Sequence, residues 1–184
     1  MLNHRGTINL ETERLILRPF KEEDAEKMYN GWATDPDVTR YVTWAPHESI
    51  EETKNLIKMW MKENKDVEKY HWIMELKENN TVVGTLGLMG VDNKNENCEI
   101  GYCIRKDYWN KGITTEVAKR VLEYALNEVG FTRITGRHMI ENPASGKVME
   151  KCGLKYEGIL RKILKNSRDQ IVDCKYYSIL KGEI

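Results

Sequence analysis

The segment between residues 98 and 139 places the tightest limit on what this chain can fold into. Apolar residues alternate over 98–104, which predicts a strand, and their helical spacing over 117–129 predicts a helix that Gly130 ends. The run 131–139 predicts a second strand. When a helix connects two strands of one sheet, the strands are parallel and the crossover is right-handed, so this segment predicts one parallel pair.

The remaining elements follow from the same two periodicities. Short or alternating apolar runs predict strands at 13–18, 70–77, 81–90, 154–164 and 170–180. Helical spacing predicts two early helices, one through Ala25, Met28, Tyr29 and Trp32 and one through Ile50, Ile57, Trp60 and Met61. Asn142-Pro143 begins a short helix that ends at Gly153. The order β-α-α-β-β-β-α-β-α-β-β predicts a single α/β (α+β) domain over 1–184, with a mixed sheet covered by helices.

Charge and composition exclude several classes of protein. The 184 residues include 29 basic and 29 acidic side chains, and zero net charge argues against binding to nucleic acid or anionic membranes. The longest uncharged apolar stretch, 81–91, is about half of the ~20 residues that a membrane helix requires. The N-terminal residues lack the apolar core of a secretion signal. We therefore expect a cytoplasmic protein with no nucleic-acid or membrane partner.

The spacing of potential metal ligands predicts that no metal is bound. The four cysteines contain no CxxC pair, and the four histidines form no HExxH motif. We expect the cysteines to be small buried residues that stay reduced in the cytosol.

The segment 105–117 is the clearest candidate for binding a ligand. It joins a predicted strand to a predicted helix, and the backbone N–H groups that begin a helix are unpaired and attract anions. Gly112 would let the main chain approach a phosphate, Lys111 adds positive charge, and Thr114 and Thr115 offer hydroxyls. A lone glycine before a helix is more often a plain turn, so both interpretations stay open here. The chain has neither a complete Walker A motif nor GxGxxG after a strand.

Two long stretches resemble a known family. EIGYCIRKDYWNKGITTEVAKRVLEYA (99–125) and FTRITGRHMIENPASGKVMEKCGLKYEG (131–158) resemble the GNAT superfamily of acetyl-CoA-dependent N-acetyltransferases. More narrowly, they resemble the group that includes the ribosomal-protein N-terminal acetyltransferases of the RimJ/RimL type. The similarity extends from 11–20 to 172–180. It implies the GNAT fold, with a mixed, mostly antiparallel sheet of seven strands covered by about four helices.

The resemblance implies that acetyl-CoA binds along the strand-to-helix loop. The family's pyrophosphate signature falls on Trp109, Asn110, Lys111, Gly112, Ile113 and Thr114. Its central glycine matches, whereas Thr114 departs from the usual small residue. The pantetheine arm is implied to lie between two splayed strands, one ending at Ile104 and one starting at Phe131, and to pair with the main chain of Tyr102, Cys103 and Ile104. A bulge in the first of these strands is implied to aim one N–H at the thioester oxygen.

Three polar residues would carry the chemistry that the resemblance implies. Asn142 and Ser145 match an Asn-x-x-Ser motif in which the asparagine contacts pantetheine and the serine gives a proton to the departing thiolate. A helix cap and a first-turn serine bonded to backbone are the structural alternatives. Glu99 matches a glutamate that often takes the proton of the attacking ammonium, and it lies on the strand face opposite Cys98 and its apolar neighbours. A surface ion pair is the alternative for Glu99.

The acceptor pocket in this family is built from the first two helices and their loop, which points to Trp32, Tyr41, Trp44 and Trp109. Core packing is the alternative for at least half of these aromatic residues. We expect an enzyme, a monomer or a homodimer, that moves an acetyl group from acetyl-CoA to a primary amine by direct attack. Its acceptor is a protein N-terminus or a small amine.

Two other interpretations remain open at this point. Because no histidine is evidently paired with Cys103, a relay through this cysteine is the poorer route. A chain of another class, a non-catalytic acyl-CoA-binding module that senses or scaffolds, is the alternative to an enzyme. The presence of Glu99, Asn142 and Ser145 favours the enzyme.

Overall fold

One mixed eight-stranded sheet organises residues 1–184, all of which are described by the computed structural model. In chain order the strands are β1 (Leu10–Glu11), β2 (Leu15–Arg18), β3 (Tyr70–Leu76), β4 (Val82–Asp92), β5 (Asn97–Ile104), β6 (Arg133–Met139), β7 (Lys155–Lys165) and β8 (Ile171–Leu180). They lie in the order β1-β2-β3-β4-β5-β6-β8-β7, and only β5 and β6 are parallel. The mixed, mostly antiparallel sheet with one parallel pair is therefore confirmed.

The prediction of seven strands is wrong by one, because β1 is too short to show a pattern. Leu10 pairs with Leu17 across a tight turn. Thr12 closes this turn: its N–H donates to the Leu15 carbonyl at 2.9 Å, and its Oγ1 accepts from the Leu15 N–H at 3.0 Å. Two residues cannot display a period of two, so the run 13–18 predicted only the second arm of this hairpin.

Five α-helices cover the sheet: α1 (Asp24–Met28), α2 (Pro36–Thr39), α3 (Ile50–Glu63), α4 (Ile113–Glu123) and α5 (Pro143–Lys151). Both α1 and α4 continue into a π-helical turn, over Tyr29–Ala33 and Tyr124–Val129 respectively. None of the helices is both long enough and apolar enough to cross a membrane.

The short helix α2 is the one that the prediction of about four helices missed. Asp35-Pro36 follows the first helical segment, and the same two residues begin α2. The Asp35 carboxylate accepts a hydrogen bond from the Asp37 N–H at 2.8 Å, and Pro36 occupies the first turn.

The sheet divides the apolar interior into two cores. The larger core contains 28 buried residues and lies under α4 and α5, whereas the smaller contains nine and lies under α1 and α3. Because side chains alternate along a strand, β5 contributes to both. Cys98 and Ile100 belong to the larger core, and Cys103 packs against the smaller one. Glu99 therefore projects on the side of the smaller core, opposite the apolar residues.

The two parallel strands separate partway along their length. Their register runs only from Asn97 opposite Arg133 to Ile100 opposite Gly136. Beyond this point β5 stays paired with β4 as far as Ile104, and β6 stays paired with β8 as far as Met139. A gap between β5 and β6 therefore opens toward their carboxyl ends.

A buried ion network joins β2, α1 and β3. Arg18 donates to both carboxylate oxygens of Asp24, at 2.8 and 2.9 Å, and twice to Oε2 of Glu75, at 2.7 and 2.8 Å. Asp24 has no exposed surface, and the Arg18 side chain is 8% exposed. Burial opposes the charge of Arg18, but its hydrogen bonds to the two carboxylates outweigh burial and raise the Arg18 pKa. The network therefore fixes α1 against the sheet.

Replacing Asp24 by alanine is expected to lower the free energy of unfolding by about 3–5 kcal/mol, because the Arg18 charge would stay buried with one of its two partners gone. Denaturant unfolding measures this loss. Lys27→Ala is the control, since Lys27 approaches Asp24 at 3.8 Å but is 41% exposed and should change stability little. Equal losses in the two variants would contradict the assignment.

Candidate active site

The loop before α4 has the geometry of an anion site. Asn110 and Gly112 adopt left-handed backbone conformations, with φ of 58° and 74°. No side chain caps α4. The first backbone hydrogen bond of the helix is donated by the Glu116 N–H to the Gly112 carbonyl at 3.0 Å. The N–H groups just before it are free for a ligand. Thr115 is partly exposed, whereas Thr114 is buried.

Arg14 holds this loop from the far end of the sequence. Its Nη1 donates to the Lys111 carbonyl at 3.0 Å, and its Nε lies 2.6 Å from Oε2 of Glu116. Burial opposes ionisation of Glu116, but hydrogen bonds from Thr12 and Arg14 outweigh burial and lower the Glu116 pKa. The Arg14 Nη2 lies 3.7 Å from where a Cβ on Gly112 would stand. A guanidinium therefore neutralises the one carboxylate in the first turn and faces the anion site.

Backbone alternation decides which main-chain groups face the gap between β5 and β6. The Arg105 N–H donates to the Val83 carbonyl at 2.8 Å in β4, and the β4–β5 register is unbroken from there to Glu99. In an antiparallel pair, alternate residues turn both polar groups toward one neighbour. Cys103 therefore points its N–H and C=O toward β4, and Tyr102 and Ile104 point theirs into the gap. The predicted main-chain role thus fits Tyr102 and Ile104 but is wrong for Cys103.

One further feature of the gap differs from the sequence prediction. The unbroken β4–β5 register from Gly84 to Met89 leaves no bulge within the stretch of β5 that lines the gap. The strands diverge instead because each is held by its outer neighbour. In addition, the Trp109 indole Nε1 donates to the Ile104 carbonyl at 3.0 Å, so the loop before α4 is tied directly to the end of β5.

On the α5 side of the gap, Tyr102 and Ser145 are in contact. The Tyr102 phenol donates to the Ser145 carbonyl at 3.0 Å and lies 3.0 Å from Ser145 Oγ, where either oxygen can be the donor. Burial raises the Tyr102 pKa despite the hydrogen bond to Ser145, which keeps the phenol protonated. Asn142 caps α5 by accepting from the Ser145 N–H at 3.4 Å, so the capping alternative is present in the structure. The amide nitrogen of Asn142 is not used by the cap.

On the opposite face of β5, the side of the smaller core, Glu99 pairs with Arg137 of β6. Glu99 Oε1 lies 3.1 Å from Arg137 Nε, with 20% and 32% of the two side chains exposed. The Arg137 Nη1 donates to the Tyr176 hydroxyl at 2.8 Å, which orients the guanidinium. Burial raises the Glu99 pKa, and the charge of Arg137 partly offsets this effect. The ion-pair alternative for Glu99 is thus present, but the pair is largely buried and lies beside the start of the gap.

The aromatic residues predicted to face an acceptor are distributed between core and surface. Trp32 has no exposed surface and belongs to the smaller core, so packing is its role in this structure. Trp44 is partly buried and packs against that core. Tyr41 lines a cavity near the end of β6, and Trp109 is 38% exposed in the loop before α4. Burial raises the Cys103 thiol pKa to about 12, so this residue is not a thiolate at neutral pH.

Three contributions to the site were missed from the sequence: the guanidiniums of Arg14 and Arg137 and the phenol of Tyr102. Arg14 lies in a strand-like run with no motif around it, and its partner Glu116 is 102 residues away. Arg137 lies between Gly136 and His138 in a predicted strand, and that it shares the face of Glu99 follows only from the pairing of β5 with β6. For Tyr102 the resemblance implies a role of the main chain only and therefore does not predict the contact of its phenol with Ser145.

Comparisons with known proteins show which family this chain is similar to. A family model described as "Acetyltransferase (GNAT) domain" matches residues 14–155. The "uncharacterized N-acetyltransferase YoaA" of Bacillus subtilis (strain 168) is 32% identical over 94% of this chain and 96% of its own. The "uncharacterized N-acetyltransferase p20" of Bacillus licheniformis is 30% identical over 95% and 97%. A GNAT-family acetyltransferase crystal structure from Bacillus anthracis is 29% identical, with a TM-score of 0.82 over 96% of this chain and 100% of that one.

Two solved structures of lower identity share the fold and differ in the acceptor they are named for. The ribosomal-protein-S5-alanine acetyltransferase of Vibrio fischeri is 18% identical, with a TM-score of 0.83 over 96% of this chain and 98% of that one. The spermidine N-acetyltransferase of Vibrio cholerae, solved with CoA and spermine, is 22% identical, with a TM-score of 0.78 over 92% and 96%. At these identities the likeness shows the fold alone.

Removing the Arg137 charge should make Glu99 a weaker acid. In Arg137→Gln the Glu99 pKa is expected to rise above its wild-type value, because burial would then act without the opposing cation. Carbon-detected NMR titration of the carboxyl group measures the shift. Arg133→Gln is the matched control, since Arg133 lies on the same strand face and pairs with Glu157 instead. A Glu99 pKa that stays the same in Arg137→Gln would contradict the ion pair.

Proposed function

This chain belongs to the GNAT family of acetyltransferases, and we propose that it transfers the acetyl group of acetyl-CoA to a primary amine by direct attack of the amine on the thioester. The family assignment makes it an acetyl-CoA-dependent enzyme and favours catalysis over the non-catalytic module. The observation that carries the proposed mechanism is the gap between β5 and β6, which has an anion site at its open end and Glu99 beside its start.

The coenzyme fits the residues around the gap. We assign its pyrophosphate to the free N–H groups around Gly112, with Lys111 and Arg14 supplying positive charge. The pantetheine amides would pair with the Tyr102 carbonyl and the polar backbone groups of Ile104, as an added strand does. The Tyr102 N–H is the first β5 donor beyond the last register pair with β6, and we assign it to the thioester oxygen.

Glu99 is the proposed base. A primary amine is mostly protonated near neutral pH and cannot attack until it loses a proton. A carboxylate that burial makes a stronger base than usual, and that keeps 20% of its side chain exposed, can accept this proton directly or through water. Arg137 holds Glu99 in place and favours its ionised form, because the Arg137 charge opposes the effect of burial on the Glu99 pKa.

The departing thiolate would be protonated from the opposite face of β5. Ser145 Oγ and the Tyr102 phenol form one hydrogen-bonded pair there, and both hydroxyls are protonated at neutral pH. Asn142 would contact the pantetheine arm through the amide nitrogen that its helix cap leaves free. Base and acid thus lie on the two faces of β5, and the acyl group would be held in the gap between them.

The acceptor remains a protein N-terminus, as in enzymes of the RimJ/RimL type, or a small amine. The two structures named for a ribosomal protein and for spermidine share this fold, so the fold accommodates both classes. Release of free thiol from acetyl-CoA, measured with N-terminal peptides and small amines, tests the activity. Binding of coenzyme A without turnover of any acceptor would contradict it.

Glu99→Gln is expected to lower kcat/KM near neutral pH by ~10²-fold, since it keeps the size of the side chain but cannot take a proton. The loss should shrink as pH rises, because the free amine then loses its proton to solvent. In the wild-type enzyme, activity should fall as pH drops through the Glu99 pKa. Glu157→Gln is the control, because it removes a carboxylate paired with Arg133 away from the gap. Wild-type rates for Glu99→Gln from roughly pH 6 to 9 would refute the role.

Gly112→Glu is expected to weaken acetyl-CoA binding by about tenfold or more, because it places a carboxylate at the anion site. Gly130→Glu is the matched control: Gly130 follows the far end of the α4 segment with a φ of 97°, so both variants pay for a side chain in a left-handed conformation. Calorimetric titration measures both affinities. If the two variants lost affinity equally, the pyrophosphate would bind elsewhere.

A further inference from the structure

A cavity of about 120 Å³ lies between the residues that follow α2 and the turn that connects β7 to β8. Arg40 and Tyr41 form one wall, Arg168 and Gln170 form the opposite wall, and Met139 of β6 contributes to the lining. The Ser167 N–H donates to the Val42 carbonyl at 3.0 Å, which ties the two walls together. The cavity could hold about four water molecules or one small polar group.

The arginines that line this cavity differ from most other arginines of the chain. Seven of the ten arginines pair with a carboxylate within 4.0 Å, and the other three are Arg40, Arg161 and Arg168. Two of these three line the cavity. Glu141 also lines it but forms no ion pair with either guanidinium. The lining therefore carries a net positive charge and two guanidinium groups without an anionic partner.

The cavity lies on the same side of the sheet as the proposed base. Met139 is two residues beyond Arg137 and projects on the same face of β6, and Arg137 holds Glu99. Two residues of strand span about 7 Å, and three span about 10 Å. An acceptor whose amine lies at the start of the gap, beside Gly136, would therefore place a group some 7–10 Å away in the cavity.

We propose that this cavity binds an anionic group of the amine acceptor, a carboxylate or a phosphate that Arg40 and Arg168 recognise at a distance of about one dipeptide from the amine. The inference rests on the proposed function. Guanidinium groups match the planar or tetrahedral oxygens of these anions with paired hydrogen bonds. An extended peptide spans about 3.3–3.6 Å per residue, so an acidic side chain close to the N-terminal amine has the required reach. Polycations are disfavoured by the same charges.

The test compares four dipeptide amides that share an N-terminal alanine: alanyl-aspartate amide, alanyl-phosphoserine amide, alanyl-serine amide and alanyl-lysine amide. The wild-type enzyme should acetylate an anionic member about tenfold more efficiently than the serine or lysine members, mainly through a lower KM. A larger advantage for aspartate indicates a carboxylate as the natural group, and one for phosphoserine indicates a phosphate. Either result supports the proposal.

The variants Arg40→Gln and Arg168→Gln should each remove most of this advantage and leave the serine member within about twofold of its wild-type rate. Arg161→Gln is the matched control, because it removes the third unpaired arginine from β7, outside the cavity. The shift in melting temperature that coenzyme A produces should be unchanged in all three variants. Preference for the lysine member, or equal losses with all four dipeptides, would overturn the proposal.

Failure of the proposed function gives a different result. If neither the dipeptides nor any other amine is acetylated, the proposed activity is wrong. The cavity is then tested by calorimetry, which measures the binding of alanyl-aspartate amide and alanyl-phosphoserine amide to the complex of the protein with coenzyme A. Binding that Arg40→Gln and Arg168→Gln abolish supports the anion site alone. Absent binding, or binding that both variants retain, overturns it.

Discussion

The early end of hydrogen bonding between β5 and β6 is the constraint on which the rest of the site depends. Each strand keeps an antiparallel neighbour on its outer side, so the sheet stays continuous elsewhere while this one pair diverges after Ile100 and Gly136. Backbone N–H and C=O groups that lose a strand partner must find another partner. The gap is therefore a place where an extended, amide-bearing ligand can complete the sheet.

Ion pairs from distant parts of the chain hold the charged groups around this gap. Arg14 comes from the first hairpin and engages Glu116 at the start of α4, and Arg137 engages Glu99 across the parallel strands. In both pairs the arginine fixes the position of a carboxylate and offsets its negative charge. Glu116 would repel a phosphate if it were unpaired, and without Arg137 burial would raise the Glu99 pKa with no opposing charge.

Sequence patterns predicted most of the fold, because every strand after β2 and each of the helices α3, α4 and α5 spans seven or more residues. They failed for β1 and α2, which are only two and four residues long. For the site, the glycine at the helix start and the Asn-x-x-Ser segment could be read locally. The roles of Arg14, Arg137 and the Tyr102 phenol could not, because each depends on a partner brought close only by tertiary packing. The absence of a bulge opposite Gly84–Met89 was equally invisible, since it is a property of the pairing between two strands.

The hydrogen bond from the Trp109 indole to the Ile104 carbonyl makes the loop before α4 and the end of β5 one mechanical unit. The distance between the anion site and the point where β5 separates from β6 is then set by the short backbone segment that this hydrogen bond closes into a turn. This segment fixes how far apart the two ends of a bound ligand can lie. In the proposed binding mode, an acyl carrier whose arm is shorter than pantetheine would reach one end of this segment or the other but not both.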